Sequence, residues 1–130
     1  MRGNDVFEYA IVRVVPRVER EEFLNAGIIL YCPAQKFLHS AFDLNEPRLC
    51  ALNREANIQE IKGQLRMFEH VCSGNVQAGA ISELPAAERF RWLTSARSTV
   101  VQTSPVHTGF CTDAQETPNH LLETLVRIEG

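Results

Sequence analysis

Short, nearly continuous apolar runs separated by charged or turn-forming stretches mark the first part of the chain as β-strands. FEYAIVRVVP, Phe7 to Pro16, is apolar on both alternating faces apart from Glu8 and Arg13, the pattern of a central strand covered on both sides. PRVEREEFLN then concentrates charge in a connection long enough for one helical turn, and NAG, Asn25 to Gly27, is expected to turn the chain into the apolar run AGIILYC. After PAQ comes KFLHSAFDL, in which Leu38, Ser40, Phe42 and Leu44 share one face, so a hairpin is predicted. The first half therefore reads as a meander of three strands.

Past Asn45 the period changes to that of helices. Asn45 is placed to cap EPRLCAL by accepting a backbone N–H. In ANIQEIKGQLRMFEHVC, residues Ile58, Ile61, Leu65, Phe68 and Cys72 recur every third or fourth position and form one apolar stripe. Gly63 within it costs helix stability relative to alanine, which suggests a close helix-to-sheet contact. SGNVQAG reads as a loop and PAAERFRWL as a short helix with Pro85 near its first turn. RSTVVQTSPVHTG supplies one or two further strands, with Val100, Val101 and Val106 building the sheet. TPNHLLETLVRI closes the chain as a helix with Thr117 as cap, Pro118 in first position, and Leu121, Leu122, Leu125 and Ile128 inward. The expected fold is α+β: an antiparallel or mixed sheet of about four to five strands with about three to four helices packed mainly on one face.

Composition narrows this picture. A chain of 130 residues, 45% hydrophobic and 22% charged, suits a single globular domain spanning residues 1–130. The net charge of -3 argues against a domain that lives by wrapping nucleic acid, although RFRW, Arg89 to Trp92, interleaves basic and aromatic residues. On a helix, Phe90 and Leu93 are expected in the core. Cys32, Cys50, Cys72 and Cys111 have no metal-ligand spacing and are read as reduced, structural thiols. The pair His107 and Cys111 does not make a metal site, and no cofactor is expected. No signal peptide or membrane-length apolar run is visible, so a cytoplasmic location is expected. Lys36 and Lys62 are the only lysines; every other basic residue is an arginine, whose planar fork suits carboxylate and phosphate.

Candidate chemistry gathers in two segments. In the charged connection and its flanks, Arg13, Arg17, Glu19, Arg20, Glu21, Glu22 and Asn25 stand close together. Arg13 lies within an apolar strand and needs a partner to be buried. That partner is either a glutamate of the same segment, making the arrangement structural, or an anionic ligand on which Arg13, Arg17 and Arg20 converge. In the second segment, Arg97, Ser98 and Thr99 follow a helix, and His107 and Thr108 precede Gly109. Polar groups at strand ends commonly build sites on a rigid sheet. His107 is the candidate general acid or base.

YAIVRVVPRVEREEFLNAGIILYCP together with ERFRWLTSARSTVVQTSPVHTG resembles an uncharacterised bacterial family, domain of unknown function 3037, with similarity over Phe7 to about Val126. The resemblance carries no catalytic residues. It implies a bacterial cytoplasmic protein often encoded beside a kinase-like protein similar to the toxin HipA, a possible protein partner. The expected function is a noncatalytic binding or regulatory module with an arginine-lined polar site for an anionic ligand or a protein partner. The alternative is an enzyme acting on phosphate esters or nucleotides with His107 as acid or base.

Overall fold

The computed structural model describes residues 4–127. β1 (Asp5–Arg17), β2 (Glu22–Cys32) and β3 (Phe37–Phe42) form the expected meander, and a 3-10 turn at Val18–Arg20 joins the first two. Helices α1 (Glu46–Leu52) and α2 (Ile58–Ser73) follow, then two short 3-10 turns within Val76–Glu83, broken at Gly79, which takes a φ of 77°; the first of them lies in the predicted loop SGNVQAG. α3 (Ala86–Thr94), β4 (Val101–Thr103), β5 (His107–Cys111) and α4 (Thr117–Leu125) complete the order. Every strand pairing is antiparallel, in the order β3-β2-β1-β4, with β5 also on β1. The fold is thus α+β with an open antiparallel sheet.

The long strand β1 explains the arrangement. Ala10, Val12 and Val14 occupy one face, while Phe7, Tyr9 and Ile11 occupy the other, so each face needs its own cover. α1, α2 and α3 supply Leu49, Ile61, Leu65, Phe68, Val71, Phe90 and Leu93 to the larger core. α4 lies on the opposite face and packs Leu122 against Ile28. In β2 an extra residue, Ala26, falls between the pairs Gly27 with Val12 and Asn25 with Arg13. This bulge shifts the alternation, so Leu24, Ala26 and Ile29 all enter the helix-covered core while Asn25 and Ile28 point to the α4 side.

Several local expectations change. Gly27 sits within β2 rather than in a turn: a β-carbon there would lie 2.3 Å from the Phe42 ring, so the glycine makes room for a cross-strand aromatic. The turn itself is made at Glu21, which takes a left-handed φ of 58°. Gly63 has no neighbour within 4 Å of such an atom, so it marks no close contact with the sheet. Thr117 begins α4 but does not cap it; its hydroxyl donates to the Asp113 carbonyl at 3.0 Å, and Pro118 takes the buried place. Val106 is exposed, whereas Val101 is fully buried. Ile128 lies outside the described residues. Asn45 caps α1 as expected, accepting the Arg48 N–H at 3.0 Å, and Asn57 does the same for α2 through Glu60.

RSTVVQTSPVHTG becomes two strands laid end to end along one edge of β1. β4 pairs with Val12 to Val14, and β5 pairs with Asp5 to Tyr9. The break between them is bridged by Ser104. Its N–H donates to the Ile11 carbonyl at 2.8 Å, and its hydroxyl oxygen accepts the Ile11 N–H at 2.9 Å. Pro105 has no N–H to continue the ladder, so this side chain keeps β1 satisfied across the joint.

Candidate functional site

At the end of the sheet where β1 runs into the 3-10 turn, a cleft of about 440 Å³ opens. Arg13 of β1, Gln102 of β4, and Arg97 and Ser98 of the loop after α3 line it on the sheet and loop side. Glu19 and Glu21 of the turn and Phe23 at the start of β2 form the other wall, with Val15 and Val18 adding apolar surface. The loop is held in place by the Val15 N–H donating to the Val100 carbonyl at 2.6 Å. Thr99 and Gln102 brace it further: the Gln102 side chain donates to the Thr99 carbonyl at 2.8 Å, and the Thr99 hydroxyl donates to the Val101 carbonyl at 3.0 Å.

Arg13 forms no ion pair among the described residues. Its guanidinium carbon lies 4.2 Å from the centre of the Phe23 ring, and its Nε is buried without a hydrogen-bond partner. The ring face offsets part of the cost of partial burial, because a cation is drawn to the π system. It leaves the buried Nε–H unsatisfied, since a ring face accepts hydrogen bonds only weakly.

Arg97 behaves differently. Its guanidinium donates to the carbonyls of Leu93 at 3.0 Å and Trp92 at 2.8 Å, closing the C-terminal end of α3. It also lies 5.1 Å from the Phe68 ring centre and 5.0 Å from that of Trp92. Burial lowers its pKa, but a guanidinium remains charged in proteins. Arg97 is therefore a helix-capping cation that lends its charge to the cleft. Arg89 repeats the device on α2, donating to the carbonyls of Val71 at 2.7 Å and Cys72 at 2.8 Å. Part of the preference for arginine is thereby explained, because a single lysine nitrogen does not span several carbonyls with the same fixed geometry.

The remaining sequence candidates lie elsewhere. Arg20 is exposed and tied to Glu22 at 2.5 Å; this hydrogen bond raises the arginine pKa and lowers that of the glutamate. Arg17 lines a separate cleft of about 620 Å³ with Leu52, Asn53 and Arg54 at the end of α1. Asn25 faces Arg13 in the β1–β2 register but donates to the Leu125 carbonyl at 3.0 Å, leaving its buried Oδ1 without a partner. His107 and Thr108 pair with Tyr9 and Glu8, and the His107 ring centre is 5.4 Å from that of Tyr9. Tyr9 and Arg13 are four positions apart on β1, a distance of roughly 13 Å along the strand.

Sequence reasoning passed over Phe23 and Gln102. Phe23 stands among glutamates and remains 45% exposed, so an aromatic within a charged run was its available signal. Gln102 gave none, because only the register places it opposite Arg13. Another cleft, of about 590 Å³, lies beside Arg127, but that cation is engaged with Asp43 at 2.7 Å and also with Glu123.

The cysteines are free thiols. Burial pushes the Cys72 pKa from 9.0 up to about 12, which keeps it a protonated, unreactive core residue. Among the described residues there is no group of three or more His, Cys, Asp and Glu placed to hold a metal ion. No helix among them is long and apolar enough to cross a membrane.

The family described as "Protein of unknown function (DUF3037)" matches residues 9–126. The chain belongs to that family. Neither the curated proteins nor the solved structures compared with it match. The description of the DUF3037 family names no activity.

Proposed function

We propose that this protein is a noncatalytic binding or regulatory module whose cleft takes an anionic group, a carboxylate or phosphate, of a small ligand or a protein partner. The resemblance described above makes a HipA-like kinase one candidate for such a partner. The observation that carries the reading is Arg13: a partly buried cation with an unsatisfied Nε, no carboxylate partner among the described residues, and an open cleft beside it. A charge-assisted, bidentate anion would satisfy donors that the aromatic ring does not. The cleft volume lies within the range of small-molecule sites.

The alternative, phosphate-ester or nucleotide chemistry with His107 as acid or base, has less support. A phosphate held at Arg13 would lie roughly 13 Å along the sheet from His107, beyond hydrogen-bond reach. Titration calorimetry with inorganic pyrophosphate and with citrate tests the binding reading. Wild-type protein should bind at least one of them saturably, and Arg13→Gln should lower that affinity at least about tenfold while the domain stays folded. Absence of binding by the wild type, or equal binding by the variant, would overturn it. Strong destabilisation of Arg13→Gln without any binding defect would instead make Arg13 an internal partner for Asn25.

A further inference from the structure

We propose that β5 is a homophilic edge, through which two copies of this chain join antiparallel with a two-fold axis at Gly109. Among the described residues β5 pairs with β1 alone, so its outer side presents alternating N–H and C=O groups with none of their strands against it. Native edges are usually blunted by lysine, proline, a bulge or a covering element. None of these protects His107–Cys111: the segment carries no formal charge and no proline, and its register with β1 runs without a bulge. The opposite edge of the sheet, β3, differs in having both α2 and α4 packed beside it.

The same edge displays apolar surface. Phe110 is 70% exposed, its register partner Val6 is 49% exposed, and Val106 is 40% exposed. Alternation along the strand places Thr108 and Phe110 on one face with Val6 and Glu8 of β1. The opposite face of β5 is already occupied, because a β-carbon on Gly109 would lie 2.6 Å from the Phe7 ring. The uncovered patch is therefore one-sided and continuous with the open backbone edge.

A second copy fits this edge better than an arbitrary peptide because HTGFC is complementary to itself. Antiparallel pairing about Gly109 sets His107 opposite Cys111 and Thr108 opposite Phe110 of the second copy, so no like charges meet although each chain has a net charge of -3. The two Phe110 rings become diagonal neighbours, within reach of each other across the new ladder. Covering the exposed part of each ring removes roughly 140 Å² from water. Together with a short ladder, this gives an interface below the usual size, so the dimer should be weak and concentration-dependent.

Sedimentation equilibrium of the whole chain between about 10 μM and 1 mM tests the proposal. The expected result is a monomer–dimer equilibrium with a dissociation constant in the micromolar range, weakened at least about tenfold by Phe110→Lys. Hydrogen exchange of the unaltered protein provides a second readout: the outward amides of β5 should exchange more slowly as concentration rises, while those of β3 should not change. A wild-type chain that stays monomeric to about 1 mM would overturn the proposal. So would a dimer that Phe110→Lys leaves intact, or β5 amides insensitive to concentration.

Discussion

Replacing Ser104 by alanine removes a single oxygen from the joint between β4 and β5. In the wild type that oxygen accepts the Ile11 N–H at 2.9 Å and donates its own proton to the Pro105 carbonyl at 2.9 Å, in a residue only 2% exposed. Alanine has almost the same volume, so packing around it is kept while the Ile11 donor loses its acceptor inside the sheet. An orphaned buried N–H costs about 1–3 kcal/mol, and the second hydrogen bond adds a fraction of that, so a loss of about 2–3 kcal/mol is expected. For 130 residues, unfolding entropy near the midpoint is roughly 0.27 kcal/mol/K. The melting temperature should then fall by roughly 7–11 °C. Urea denaturation gives the free energy, and native-state hydrogen exchange should show the Ile11 amide losing protection more than Val12 and Val14 beside it. A variant within about 0.5 kcal/mol of wild type, with the Ile11 amide still protected, would refute the bridging role assigned to Ser104.

Arg89→Ala should cost about 1–3 kcal/mol by freeing the carbonyls at the end of α2, with Arg89→Lys recovering less than half of the loss in the same denaturation assay. The raised Cys72 pKa has a pH consequence: the folded thiol holds its proton more tightly than the unfolded one. Its contribution to stability is therefore complete below pH 9 and declines as pH rises toward about 12. Denaturation midpoints of wild type and Cys72→Ala should converge across that window. The folded wild type should also keep Cys72 unlabelled by iodoacetamide at pH 8.5, as read by mass spectrometry.

The features legible in the amino-acid sequence were local. The covered strand at Phe7 to Pro16, the Asn45 cap and the α2 stripe each depend on residues within a turn or two of one another, and each appears in the structure as the pattern requires. Relations between segments were a different matter. Arg97 and His107 are close in sequence, yet β4 and β5 lie end to end along β1, so extended chain carries them to separate parts of the sheet. The bulge at Ala26 sets which strand residues face which helix, and no local signal announces it. Arg13 needed a partner on grounds of burial alone, but the folding of the turn and β2 set it over Phe23, beside a cleft lined by Glu19 and Glu21, with no ion pair to either among the described residues. Arg97 likewise became the cap of α3 only when the following loop folded back on it. Periodicity reports which way a side chain points within its own element. Register, bulges and loop closure decide what it finds there, because they depend on pairings between residues far apart in the chain.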